Sequence, residues 1–237
     1  MMNIRLISVA VVMLVAATSA AAQDLTTQEI IVTGTRVEQD DYSRDMPAVG
    51  LRRSADFLVQ EVTIRGDTRD PKLRETEIRQ MLGRAIALAG QRGVELAYGS
   101  YVLTRLTNAN TKDVQIKADN RPDSQRIDFL VKAPLSASEG AAAAQQRITA
   151  FVEAVPEVGR AQMDQLGNPT LSIVGPDKYR GQIADKVLDD ARALAAKTGG
   201  EFAFTVEGLN MPVQWARAGL SEVLLYIPYK LVIVPKR

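Results

Sequence analysis

The chain has 237 residues, 46% of them hydrophobic, and carries 29 basic and 28 acidic side chains. This near-neutral charge gives no electrostatic basis for nucleic-acid binding, which requires clustered lysines and arginines that displace counterions. The sequence contains no cysteine and no histidine, which excludes disulfides, Ser-His-Asp and Cys-His catalysis, and the usual zinc and copper sites. We therefore expect no cofactor and no metal, and a fold held together by its core alone.

Residues 1–22 have the three parts of a cleavable secretory signal peptide. Arg5 supplies the positive charge, residues 6–17 form a short apolar stretch, and residues 20–22 are the small alanines that signal peptidase accepts. The apolar stretch is shorter than the roughly 20 residues of a membrane span, and an uncleaved anchor is the alternative interpretation. We predict cleavage near Ala22 and a periplasmic or secreted protein with no membrane span after cleavage.

Residues 23–54 are largely charged and turn-rich, which predicts a flexible N-terminal arm. Within this arm the β-prone residues 30–33, followed by Gly34, predict one short strand. Residues 29–36 also resemble the TonB box of outer-membrane receptors, which implies docking by strand addition. Those receptors carry a barrel of many strands, for which this chain is too short. We favour an opening strand of the domain, and the docking segment stays open as the alternative.

Residues 55–237 are predicted to form one domain that contains both strands and helices. Strands are predicted where apolar residues alternate or cluster, at residues 58–65, 94–106, 126–132, 171–174, 201–207 and 223–234. Pro228 interrupts the last of these, which predicts a kink, a bulge or an edge strand. Helices are predicted between capping and stop signals, from Asp70-Pro71 to Gly93, from the Ser136/Glu139 capping box to Pro156, and from residues 175–177 to Gly199.

The order of these elements indicates the fold class. Helices do not alternate strictly with single strands, so a doubly wound parallel sheet is disfavoured. The sequence predicts an α+β fold, in which about three amphipathic helices pack on a largely antiparallel sheet.

A combination of four features resembles a known family. These features are the opening strand at residues 30–34, the alanine-rich helix at residues 184–196, the glycine turn that leads into residues 201–206, and the final apolar strand. Together they resemble the SIMPL-domain proteins, which are mostly exported bacterial proteins of poorly defined function. The resemblance covers most of residues 28–237 and implies a SIMPL-like fold, but the family offers no catalytic residues to carry over. The polar insert at residues 107–125 and the loop at residues 209–219 depart from the family pattern.

The densest cluster of chemically active side chains lies between the first predicted strand and the first helix. It contains Asp67, Arg69 and Asp70. Carboxylates are hard oxygen ligands, so a polar-ligand or cation site is one interpretation. We favour the other, a turn in which Asp70 caps the helix and Arg69 pairs locally.

The predicted loop at residues 209–219 contains the only tryptophan. Met211, Trp215 and Arg217 lie together there, and aromatic and arginine side chains are enriched in protein interfaces. An interaction surface and a loop folded over its own core are both open interpretations.

The absence of catalytic motifs favours a protein that is not an enzyme. We predict a periplasmic SIMPL-type accessory protein that acts through a protein partner or as a homo-oligomer. The alternatives are a small-ligand carrier with an apolar pocket under the helices, and an envelope hydrolase that uses paired carboxylates roughly 5 to 9 Å apart.

Overall fold

The computed structural model describes residues 28–32, 47–136, 139–199 and 201–236. The predicted signal peptide and most of the predicted arm lie outside the described residues. Within them the helices are α1 (Pro71–Ala89), α2 (Ala141–Ala154) and α3 (Arg180–Lys197). The strands are β1 (Glu29–Val32), β2 (Leu51–Ser54), β3 (Phe57–Gly66), β4 (Glu95–Tyr98), β5 (Thr104–Arg105), β6 (Lys117–Ala118), β7 (Gln125–Pro134), β8 (Gln162–Val174), β9 (Phe202–Glu207), β10 (Gln214–Arg217), β11 (Glu222–Tyr226) and β12 (Lys230–Pro235). The strand pairs are antiparallel, which confirms the predicted α+β class.

The main sheet has the strand order β1-β8-β3-β7-β4-β5, with β6 paired to β7. Its two ends approach each other, because the N–H of Ile31 donates to the carbonyl of Tyr101 at 3.3 Å. The N–H of Leu103 donates in turn to the carbonyl of Glu29 at 2.9 Å. The sheet therefore curls almost into a barrel, and Glu29–Val32 is an integral strand of it.

The two faces of the main sheet differ in character. Along β3 the even-numbered Leu58, Val62 and Ile64 are buried in the core cluster that also contains apolar side chains of α1 and α2. The odd-numbered Glu61 and Arg65 point to the second face, since successive side chains of a strand alternate. Burial of the first face is the main source of stability, whereas the second face carries most of the polar side chains of the sheet.

Strand β8 is much longer than the predicted strand at residues 171–174. It contains a bulge, because Val59 pairs with Thr170 whereas Glu61 pairs with Leu166. The bulge holds Gly167, whose φ of +62° suits glycine. The buried amide of Gln60 donates to the Leu166 carbonyl at 2.6 Å beside this bulge. Residues 167–169, Gly-Asn-Pro, are typical of turns, so the sequence analysis did not predict that a strand continues through them.

Two small sheets complete the fold. One has the order β10-β11-β2 and the other pairs β9 with β12. The predicted strand at residues 223–234 is therefore wrong as a single strand, because Pro228 separates β11 and β12, which belong to different sheets. Likewise Leu51–Ser54, which was predicted to lie in the arm, pairs with β11.

The helix boundaries were predicted with mixed success. Asp70 caps α1 as predicted, accepting from the N–H groups of Lys72 at 2.8 Å and Leu73 at 3.1 Å. The second helix begins at Ala141 and not at Ser136, whose hydroxyl accepts from the N–H of Glu139 in a turn before the helix. The third helix is preceded by a short 3-10 segment, Pro176–Tyr179.

No helix among the described residues has both the length and the apolar character needed to cross a bilayer.

Candidate functional site

A polar cleft of about 620 Å³ lies where the end of β3, the loop between β6 and β7, and the turn before β8 meet. Every side chain that lines it is charged or polar, and Gly159 leaves backbone exposed. The charged lining residues are Arg65, Asp67, Asp119, Arg121 and Arg160. A lining of this kind can form hydrogen bonds and ion pairs with a hydrophilic ligand, but it has no apolar side chain for an apolar ligand to contact.

Asp67 and Arg160 form a two-pronged ion pair in the wall of this cleft. Nε of Arg160 donates to Oδ1 of Asp67 at 2.6 Å, and Nη2 donates to Oδ2 at 2.8 Å. These hydrogen bonds hold the pKa of the Asp67 carboxyl below its usual value and raise the pKa of Arg160. Both groups are therefore charged throughout the neutral range.

Behind this pair lies the buried carboxylate of Glu77, which holds the turn before β8 in place. Its Oε2 accepts from the hydroxyl of Thr68 at 2.5 Å and from the N–H of Arg160 at 3.4 Å. Gly159 has a φ of +57°, and a Cβ there would lie only 2.0 Å from Oε1 of Glu77. The close approach of this turn to α1 thus depends on glycine.

The opposite wall is the loop of residues 119–124. The Ser124 hydroxyl donates to Oδ2 of Asp119 at 3.1 Å. The pKa of the Asp119 carboxyl is lowered chiefly by a hydrogen bond from the backbone of Asn120 and also by Ser124. A carboxylate-dependent hydrolase needs one acid that keeps its proton near neutral pH. Asp67 and Asp119 are both held in the ionised form, so this pair does not supply one.

The structure separates the three residues of the predicted polar site. Asp67 lies in the cleft wall, Asp70 caps α1, and Arg69 is exposed outside the cleft lining. Sequence reasoning missed Arg160, because 93 residues separate it from Asp67 and no local pattern marks it.

A second cleft, of about 430 Å³, lies on the second face of the main sheet. Its lining mixes apolar side chains such as Val59 and Leu130 with polar ones such as Glu61, Tyr98 and Asp128. The predicted ligand pocket under the helices does not coincide with either of these two clefts. On the helix side, Ile78 and Phe151 belong to the packed core. A further cleft of about 450 Å³ lies between α2 and β8, and its lining mixes Met81 and Val152 with polar side chains such as Glu153.

Trp215 does not lie in a loop, which corrects the prediction for residues 209–219. It belongs to β10, is 2% exposed, and its ring centroid lies 5.9 Å from that of Tyr101. Met211 is half-buried against the core. Arg217 donates to the carbonyls of Gly219 at 3.0 Å and Pro169 at 3.3 Å. The indole is enclosed by the protein itself, as in the alternative of a segment folded over its own core.

The β9–β12 ribbon is the sheet whose described residues are least buried. None of them is fully buried, although the ribbon is rich in valine, phenylalanine and isoleucine. The side of the ribbon that carries Val206 packs toward the core. The other side, which we call the outer ribbon face, consists of Ala203, Thr205, Glu207, Lys230, Val232 and Val234. The alternation at residues 201–207 predicted this half-buried strand.

Comparisons with known proteins add little to this picture. No family model and no curated protein matches the chain. A solved structure of a hydrolase from Listeria innocua aligns with 79% of this chain and 94% of that chain, at 8% identity and a TM-score of 0.15. An uncharacterized conserved protein from Listeria innocua aligns with 77% of this chain and 92% of that chain, at 9% identity and a TM-score of 0.16. Likenesses this weak carry no argument, and the resemblance to SIMPL-domain proteins stays a prediction.

Proposed function

We propose that this chain is a non-catalytic protein of the bacterial cell envelope that works by self-association, and that the outer ribbon face binds the same face of a second copy. The location in the envelope follows from the predicted signal peptide. The observation that carries the contact is the layout of the face, which is uncharged over most of its length and ends in Glu207 directly opposite Lys230.

This layout is self-complementary. A two-fold axis parallel to the strands would place β9 of one copy over β12 of the other, as in the isologous interfaces of symmetric dimers. Glu207 would then face the partner's Lys230, and Lys230 the partner's Glu207. In the middle, Thr205 and Ala203 would face Val232 and Val234, which are small enough for two sheets to pack about 10 Å apart.

The ribbon also has a structural reason to be covered. Isolated two-stranded sheets are marginally stable in water, and they gain stability when a third layer buries an apolar face. The contact is small, however, since stable interfaces bury about 800 Å² on each partner. We therefore expect a weak dimer whose population rises with protein concentration.

Sedimentation velocity over a wide concentration range tests this proposal. Val232→Lys places two like charges in the middle of the contact and should leave the protein monomeric. The matched control is Leu220→Lys, because Leu220 is 78% exposed, lies in the turn between β10 and β11, and is not part of the ribbon. Circular dichroism confirms that both variants fold.

Charge reversal adds a sharper test. Glu207→Lys should weaken the dimer, and the double change Glu207→Lys with Lys230→Glu should restore it, because the swapped pair is again complementary within and between copies. A concentration-independent monomer, or equal loss in the Val232 and Leu220 variants, would show that the ribbon is not an assembly surface.

A further inference from the structure

We infer that the polar cleft binds a small hydrophilic anion, with one carboxylate or phosphate group held by Arg121 and by the guanidinium groups of the cleft wall. This inference is independent of the outer ribbon face. It begins from the charges that line the cleft, which are the guanidinium groups of Arg65, Arg121 and Arg160 against the carboxylates of Asp67 and Asp119.

Among these charged side chains Arg121 differs from the others. Arg160 is paired with Asp67, Arg65 lies 3.6 Å from a carboxylate oxygen of Asp164, and Asp119 lies 3.6 Å from Arg126. Arg121 is exposed and its side chain makes no hydrogen bond or ion pair within the described residues. The loop that carries it is nevertheless ordered, since the Ser124 N–H donates to the Arg121 carbonyl at 3.0 Å and the Asp119 N–H donates to the Ser124 carbonyl at 3.0 Å.

Further basic side chains lie beside the cleft, of which Arg65 lines it. Arg65 of β3 lies directly opposite Arg126 of β7, and Arg126 lies directly opposite Lys117 of β6. Like charges in opposite positions of a sheet destabilise it. Each of the three forms an ion pair with Asp164, Asp128 or Asp119 at 3.5 to 3.6 Å, distances longer than good charge-assisted hydrogen bonds. Within the described residues the buried Nε atoms of Arg65 and Arg126 have no hydrogen-bond partner.

The two carboxylates of the cleft restrict what the anion is. Asp67 and Asp119 stay ionised and repel a second negative charge, so a compact ligand with a single anionic group is favoured over a polyanion. As acceptors they suit hydroxyl or ammonium groups on the same ligand. The absence of apolar lining side chains excludes an aliphatic or aromatic tail from this cleft.

Titration of the isotope-labelled protein with inorganic phosphate or acetate, at constant ionic strength, tests this inference by NMR. We expect saturable shifts of the amide signals of Asn120, Ser124 and Gly159. Comparison of the two titrations shows whether a phosphate or a carboxylate group is preferred. Arg121→Gln should weaken the preferred anion at least about tenfold, as expected for a charge-assisted hydrogen bond.

Arg69→Gln is the matched control. It removes the same charge from a neighbouring exposed turn that does not line the cleft, and it should change the affinity less than about twofold, since exposed charges interact weakly. Shifts that do not saturate, or an equal loss of affinity in the Arg121 and Arg69 variants, would mean that the anion acts only by screening charges in general. Either result would overturn the inference. Absence of shifts with both anions would overturn it as well.

Discussion

The ammonium group of Lys132 in β7 forms an ion pair with the carboxylate of Glu29 in β1, although the two residues lie 103 positions apart in the sequence. The Lys132 side chain is only 4% exposed. Ser172 donates from its hydroxyl to the same carboxylate at 2.6 Å, and Glu95 lies 3.3 Å from the ammonium group. Strand β1 is thus fixed to the middle of the sheet by a buried charge.

We expect Glu29→Gln to lower the free energy of unfolding by about 1–3 kcal/mol, because a buried cation loses its main charged partner and retains Glu95 and the ring of Phe57. Urea unfolding followed by the fluorescence of Trp215 measures this change. A double-mutant cycle with Lys132→Met isolates the pair, and the double variant should lose less than the sum of the two single changes. Additive losses would mean that the two groups do not interact.

Gly159→Ala should be strongly destabilising, because the new Cβ would meet the buried Glu77 carboxylate. The control is Gly167→Ala, since Gly167 has a similar φ of +62° but no atom within 4 Å of the added methyl group. Backbone strain alone costs about 1–3 kcal/mol at either position. Thermal unfolding should therefore show a larger loss of stability for Gly159→Ala than for Gly167→Ala. Equal losses of stability would show that the contact with Glu77 contributes nothing.

Trp215→Ala should lower the free energy of unfolding by about 3–5 kcal/mol, which is usual for truncation of a buried aromatic side chain. Circular dichroism is the appropriate readout, since the variant has no tryptophan left. The wild-type indole should emit at short wavelength, as buried tryptophans do. A variant of unchanged stability that fails to self-associate would assign Trp215 to an interface instead.

Asp67→Asn should remove a pH-dependent part of the stability. The pKa of Asp67 is lower in the folded protein than in the unfolded chain, chiefly because of the hydrogen bonds from Arg160. The folded state therefore binds fewer protons near pH 4, and the stabilisation is present above the unfolded pKa of about 3.9 and disappears as the pH falls through the folded pKa. The difference in melting temperature between wild type and variant should shrink between pH 6 and pH 3, and a constant difference would contradict the pairing.

Several elements were predictable because their signals are local. Asp70 with Pro71 marks the start of α1, and Gly93, with a φ of +66°, follows the short 3-10 turn that ends it. The alternation at residues 58–65 identifies β3. Each of these signals depends on backbone preferences and spacing within about ten residues, and these act before the chain makes distant contacts.

The candidate sites could not be predicted in the same way. Asp67 was identified, but Arg160 and Arg121 reach it only because β8 and the loop before β7 converge on the end of β3. Trp215 was assigned to a loop because its strand is only four residues long, and its burial depends on packing beside Tyr101. Pairing across a sheet leaves no mark in the sequence near either partner.

By itself the sequence determined the α+β class, the Asp70 cap of α1, the long central strand and the exclusion of histidine and cysteine chemistry, because composition and periodicity act locally. Only the tertiary structure decided that the sheet curls until Ile31 meets Tyr101, that Pro228 divides one apolar run between two sheets, and that Glu29 neutralises Lys132. These are contacts between distant residues. They depend on strand order and register, which follow from the packing of the whole chain.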